Sequence, residues 1–134
     1  MIGIILCCHG EMAEGIRSAA ELIVGPQQQL DALGIKPGEG QDTLRSALKK
    51  SIRNVGKDGV IILTDLQGGT PFNVAVPLLN EKVRMIAGFN LPLLLQMLMG
   101  RLAENDIDKL TAGATEHACQ HIVDASAILS GREA

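Results

Sequence analysis

Two unbroken apolar runs restrict this chain more than any other feature. Ile2-Gly-Ile-Ile-Leu-Cys-Cys8 and Gly59-Val-Ile-Ile-Leu-Thr64 show no alternation of polar and apolar residues. That is how a strand reads when helices cover both faces of its sheet. Each run stops at a residue that carries chemistry, His9 after the first and Asp65 after the second. In an open parallel α/β sheet the carboxyl ends of the strands lie together, and ligands bind in the crevice there. Two distant segments are therefore expected to deliver an imidazole and a carboxylate to one place.

The segments between the runs have helical spacing. Met12, Ile16, Ala20, Ile23 and Val24 recur every three to four residues, and Gly25-Pro26 supplies a stop. Leu30 to Ile35 reads as a short second strand, and residues 34–40 as a loop rich in glycine. Asp42 or Thr43 is placed to cap a second helix whose apolar positions are Leu44, Leu48, Ile52 and Val55. Pro71 suits the start of a third helix, which Pro77 should shorten or kink. Val83 to Ala87 reads as a fourth strand, Leu91 to about Leu102 as a helix. One last helix is expected from about Asp106 to Leu129, with Ile107, Leu110, Ala114, Ala118, Ile122, Ala125 and Leu129 along one side. Strands separated by helices imply βαβ units, so the expected fold is a single α/β domain over residues 1–134, doubly wound, with a mainly parallel sheet and helices on both faces.

Composition excludes several classes of function. The chain has 12 basic and 15 acidic residues, a formal charge of −3, and no basic run longer than Lys49-Lys50. A clustered positive footprint for nucleic acid is missing. Aromatics are limited to Phe72 and Phe89, so platforms for base stacking are missing too. The greasy stretch Leu91 to Met99 falls well short of the roughly 20 residues a membrane-spanning helix needs, and it is expected in the core or at a subunit interface. Three cysteines, two of them adjacent at Cys7-Cys8, imply no disulfide framework. No leader-like pattern opens the chain, and the expected location is the reducing cytoplasm.

His9 and Asp65 are the strongest candidates for chemistry. A neutral imidazole is nucleophilic, and a carboxylate bonded to one ring nitrogen leaves the other free to attack. Asp65 is cast as that orienting carboxylate, provided the first and third strands are neighbours. Gly68-Gly69-Thr70-Pro71 follows, where two glycines let amide groups converge on an anion. Thr70 could donate its hydroxyl to that anion or cap the helix. There is no Walker loop and no dinucleotide Gly-x-Gly-x-x-Gly, so nucleotide binding is not supported. A receiver-type domain phosphorylated on Asp65 lacks the acidic pair after the first strand that would hold Mg²⁺. His117 and His121, four apart on the last helix, could share a metal, yet they lack the Glu of His-Glu-x-x-His and an obvious third ligand. Cys8 beside His9 raises a Cys–His arrangement, with an inert buried thiol as the plainer reading.

At these residues the chain resembles the IIA domain of the mannose-family sugar phosphotransferase system. The resemblance rests on Gly3-Ile-Ile-Leu-Cys-Cys-His-Gly10, Ala20-Glu-Leu-Ile-Val-Gly25, Leu63-Thr-Asp-Leu-Gln-Gly-Gly-Thr-Pro-Phe-Asn-Val-Ala75 and Ile86-Ala-Gly-Phe-Asn-Leu-Pro-Leu-Leu94, in family order. It implies that His9 is phosphorylated on Nε2 by the phosphocarrier protein HPr and passes the group to a histidine on a IIB component. It also implies that Asp65 orients His9, that Gly68, Gly69 and Thr70 line the phosphate site, that no metal or other cofactor is needed, and that the protein forms a homodimer through its later part. Two departures bear on partner fit: Glu11-Met12 stands where an aromatic often follows the histidine, and Cys7-Cys8 precede it. Many family members continue into a linker and a IIB domain; this sequence stops at Ala134 and is expected to be a separate subunit or a piece of a longer chain. The alternatives in other classes are a regulatory phospho-domain controlling a transcription factor or enzyme, and the phosphotransfer subunit that serves dihydroxyacetone kinase.

Overall fold

The computed structural model of the chain describes residues 1–131. The strands are β1 (Gly3–His9), β2 (Leu30–Ile35), β3 (Val60–Thr64) and β4 (Val83–Ala87). They form one sheet in the order β2-β1-β3-β4, and every pairing is parallel. The two apolar runs are thus the two central strands. Ile4, Ile5, Leu6, Ile61, Ile62 and Leu63 have no exposed surface at all, and burying each such side chain is worth about 1.5–3 kcal/mol.

Burial on both faces requires helices on both faces. One layer is formed by α1 (Met12–Val24), α4 (Leu91–Gly100) and α5 (Ile107–Gln120). Ala20, Leu93, Leu94, Met97, Leu98, Leu110 and Ala114 of that layer pack on Ile4, Leu6, Ile61 and Leu63. The other layer is formed by α2 (Gln41–Val55) and α3 (Gly69–Ala75), with Leu44, Leu48, Val74 and Ala75 against Ile5, Cys7, Val60 and Ile62. The Leu91–Met99 stretch is therefore core. Four of its side chains are buried inside the chain, and only Met99 and Gln96 are exposed.

Three local expectations are corrected. The first turn of α2 is not capped by Asp42 or Thr43. The helix begins earlier, its cap two residues before Asp42 at Gly40, in extended backbone with no side-chain cap, and Asp42 instead pairs with Arg45 at 2.5 Å along the same turn. Nor is Thr70 the cap of α3: Gly68 is, and Thr70 lies inside the helix. The last helix is broken. Its regular part ends at Gln120, His121 closes it, and a short α6 (Ala125–Leu129) restarts after Asp124, whose carboxylate accepts the Ala127 amide at 2.9 Å. Ile122 and Leu129 continue the apolar spacing but find nothing to pack on, at 78% and 87% exposure. Pro77 acts as expected, in a 3₁₀ turn (Val76–Leu78) that follows α3.

An arginine holds the lower end of the sheet. Arg101 is buried, and its guanidinium donates to the carbonyls of Ile2, Gln28 and Gln29 and to the Gln27 side chain, at 2.6–3.3 Å. It joins the end of α4, the loop before β2 and the start of β1. Burial pulls its pKa down from the usual arginine value.

Candidate functional site

The chain passes from β1 outward to β2, then returns to lay β3 on the other side of β1. The strand order reverses between β1 and β3, and a crevice opens at the carboxyl ends there. His9 is the last residue of β1 and Asp65 the first after β3. Register seals the neighbourhood, with Cys7 opposite Thr64 one step below.

Asp65 grips His9 twice through one oxygen. Its Oδ2 accepts the His9 backbone N–H at 2.9 Å and stands 2.8 Å from His9 Nδ1. A carboxylate only accepts, so Nδ1 carries the proton and the lone pair of the neutral ring is at Nε2. Burial alone would raise the Asp65 pKa, yet the bonds from the His9 amide and ring and the attraction of the imidazole together hold it below the usual carboxylate value. Its other oxygen, Oδ1, is buried and makes no hydrogen bond among the described residues. The two side chains differ in exposure, 46% for His9 and 12% for Asp65: the imidazole reaches solvent and the carboxylate is largely covered.

The glycine turn lies on the Nε2 side of the ring. Gly68 and Gly69 both have left-handed backbone, φ 79° and 81°, a region that disfavours any other residue. A Cβ on Gly69 would sit 3.1 Å from His9 Cε1 and 3.3 Å from Nε2, so a side chain there would press on the imidazole and make it give way by a few tenths of an ångström. The Gly68, Gly69 and Thr70 amides and the Thr70 hydroxyl make no hydrogen bond among the described residues. On the far side, Gly10, also left-handed at φ 57°, donates its amide to Ile35 at 2.9 Å and ties the His9 turn to β2.

The predicted residues His9, Asp65, Gly68, Gly69 and Thr70 therefore come together. The other candidates do not join them. Cys7 and Cys8 are buried, and burial first, then the nearby Asp65 charge, pushes both thiols up to about 12; Cys8 is no nucleophile at neutral pH. His117, in the last turn of α5, and His121, which closes that helix, make no hydrogen bond or ring contact with His9, and no group of three metal-ligating side chains occurs among the described residues. Sequence reasoning missed Leu66, 48% exposed beside the glycine turn; a lone leucine between Asp65 and Gln67 carries no sequence signal. A cleft of about 630 Å³ opens on the β2 side of Gly10, lined by Glu11, Glu14, Lys36 and Glu39 among others, and the His9 ring takes no part in it. No helix among the described residues is long and apolar enough to cross a membrane.

A half-exposed strand-end imidazole, a carboxylate bonded to it from the neighbouring strand and a glycine turn beside the ring thus share one crevice of an α/β sheet. The chain belongs to the mannose-type IIA components of the phosphotransferase system: residues 3–115 match the family model "PTS system fructose IIA component". It is 34% identical over 118 residues to the mannose-specific EIIAB component of Escherichia coli K12, covering 86% of this chain but 36% of that protein, so the chain spans about a third of that relative's length. The fructose-specific EIIA component of Bacillus subtilis is 34% identical over 101 residues, 73% of this chain and 69% of its own. Among solved structures, an EIIA component from Streptococcus agalactiae superposes with a TM-score of 0.87 at 32% identity, covering 94% of this chain and 98% of that one.

Proposed function

We propose that His9 is the phosphoryl-carrying residue of a sugar phosphotransferase relay. It accepts the group from a phosphohistidine on HPr and passes it to a histidine of a IIB component. The reading is carried by one observation: Asp65 Oδ2 holds Nδ1 at 2.8 Å, which leaves Nε2 as the free nucleophile on a half-exposed ring.

In the forward step the Nε2 lone pair forms an N–P bond as the donor's P–N bond breaks, and the donor imidazole leaves neutral. Charge then develops in two places. The His9 ring becomes positive, and Asp65 is placed to stabilise it while keeping Nδ1 protonated. The phosphoryl oxygens stay negative, and the turn that brings Gly69 against the ring offers the Gly68, Gly69 and Thr70 amides with the Thr70 hydroxyl as their donors in this reading. Transfer between similar histidines is close to balanced in free energy, so the same site serves both directions. The ring stands on a rim and not within the nearby cleft, which suits a protein donor and acceptor in place of a small substrate.

The test is intact-mass measurement after incubation with phosphoenolpyruvate, enzyme I and HPr, beside His9→Ala. One acid-labile phosphoryl group that is absent from the variant is expected; no added mass on a folded protein refutes the relay. Association with a second copy belongs to the same reading and is read from sedimentation equilibrium.

A further inference from the structure

The site just described uses one of the chain's three histidines. The other two are neighbours at the end of α5, His117 in its last turn and His121 at its C-cap. Their ring centroids lie 4.0 Å apart with the planes tilted by 40°, the placement that residues four apart on a helix produce. His121 is exposed and His117 half-buried. We propose that His117 and His121 form a two-histidine chelate for a divalent late first-row transition-metal ion, with water filling its other positions.

A metal-binding histidine needs a neutral ring with one nitrogen free, and its other nitrogen is commonly fixed by an outer hydrogen bond. His121 already has this arrangement. Its Nδ1 lies 2.8 Å from the His117 carbonyl, a pure acceptor, so Nδ1 carries the proton and Nε2 holds the lone pair. No hydrogen bond engages the His117 ring among the described residues, so it can offer either nitrogen. Span is also suitable. Metal–imidazole bonds of about 2.0–2.1 Å let one ion bridge nitrogens up to roughly 4 Å apart. The ring centroids lie 4.0 Å apart, and rotation of the two side chains about their χ angles brings one nitrogen of each ring within that span. The sequence argued against a metal here because no third protein ligand is near, and none is found among the described residues. That excludes a closed structural zinc site but not an open one, since a late first-row ion accepts two imidazoles and completes its shell with water. Imidazole ligation favours copper, nickel and zinc over magnesium or calcium.

The experiment is calorimetric titration of Ni(II) alone into the full chain carrying Cys119→Ser, which removes the exposed thiol two residues from each histidine. Nickel is chosen because it does not oxidise the remaining cysteines. One equivalent is expected. Because the second ligand binds at high effective concentration, His117→Ala or His121→Ala in that background should each weaken binding by about 10²-fold or more, while His9→Ala leaves it unchanged. Bound nickel should also raise the melting temperature in a concentration-dependent way, and neither single variant should show this. No binding by the parent, equal binding by His121→Ala, or a loss on His9→Ala overturns the proposal. Circular dichroism confirms that each variant is folded.

Discussion

Replacing Asp65 by asparagine tests the site with almost no change in shape. The carboxylate oxygen that accepts from both the His9 amide and His9 Nδ1 becomes a neutral amide oxygen. A hydrogen bond to a charged group contributes about 1.5–3 kcal/mol against about 0.5–1.5 for a neutral one, so two bonds lose roughly 2 kcal/mol together. The ring also turns positive as the N–P bond forms. Two unit charges 4 Å apart at an effective dielectric of 20 attract by about 4 kcal/mol, and the half-exposed ring discounts this to about 1–2 kcal/mol. Only part of each contribution is specific to the transition state, so a net loss of about 2–3 kcal/mol is expected, roughly 30- to 150-fold in rate. Rapid-quench measurement of phosphoryl transfer from phospho-HPr reads it directly. A rate within about threefold of the parent, on a protein with unchanged circular dichroism, would refute the orienting role. The same substitution has a signature in stability. A carboxyl with a folded pKa below its unfolded one adds stability at neutral pH, and that contribution disappears as the pH falls from the ordinary carboxylate range through the folded value. Asp65→Asn should flatten this acid limb of the stability curve.

Gly69→Ala forces a side chain into left-handed backbone and against the His9 ring, so thermal or urea melts should show a loss of about 1–2 kcal/mol, and transfer should slow by more than stability alone explains. Arg101→Met removes the guanidinium that four oxygens surround; about 3–5 kcal/mol of stability should go by urea unfolding, because those oxygens lose their donor in a buried place. Arg101 is at the opposite end of the sheet, so the fraction that remains folded should be phosphorylated at the parent rate. A thiol reagent at neutral pH should titrate Cys119 quickly and reach Cys7 and Cys8 only in denaturant, which mass spectrometry counts; fast labelling of Cys8 in the native protein would contradict its burial.

Much of this was legible without coordinates. Strands wholly buried by helices on both faces cannot afford polar residues, so the two apolar runs announced a parallel sheet, and β2 and β4 fall where the intervening helical periods leave room. His9 and Asp65 stood out because each interrupts such a run at its end. Helix termini were less legible, since capping depends on which backbone groups packing leaves open. Gly40 and Gly68 start α2 and α3 although Asp42, Thr43 and Thr70 are better cap formers by type. The break after Gln120 was hidden for a similar reason. Apolar spacing persists through Ile122 and Leu129, but spacing cannot say where the surface it would pack on ends.

What the sequence determined by itself is local: which segments are strands, which are helices, and which polar side chains sit at strand ends. Those properties follow from hydrophobic period and glycine content, which act over a few residues. The order β2-β1-β3-β4 belongs to the tertiary structure, and so does everything that order decides. Only because β1 and β3 are neighbours does an imidazole 56 positions away in the chain meet its carboxylate at 2.8 Å. The same holds for Gly69 against the ring, for Arg101 among carbonyls 72 to 99 positions distant, and for which face of α5 is left to water. Such contacts depend on how whole elements pack, and no local pattern encodes a partner that lies that far along the chain.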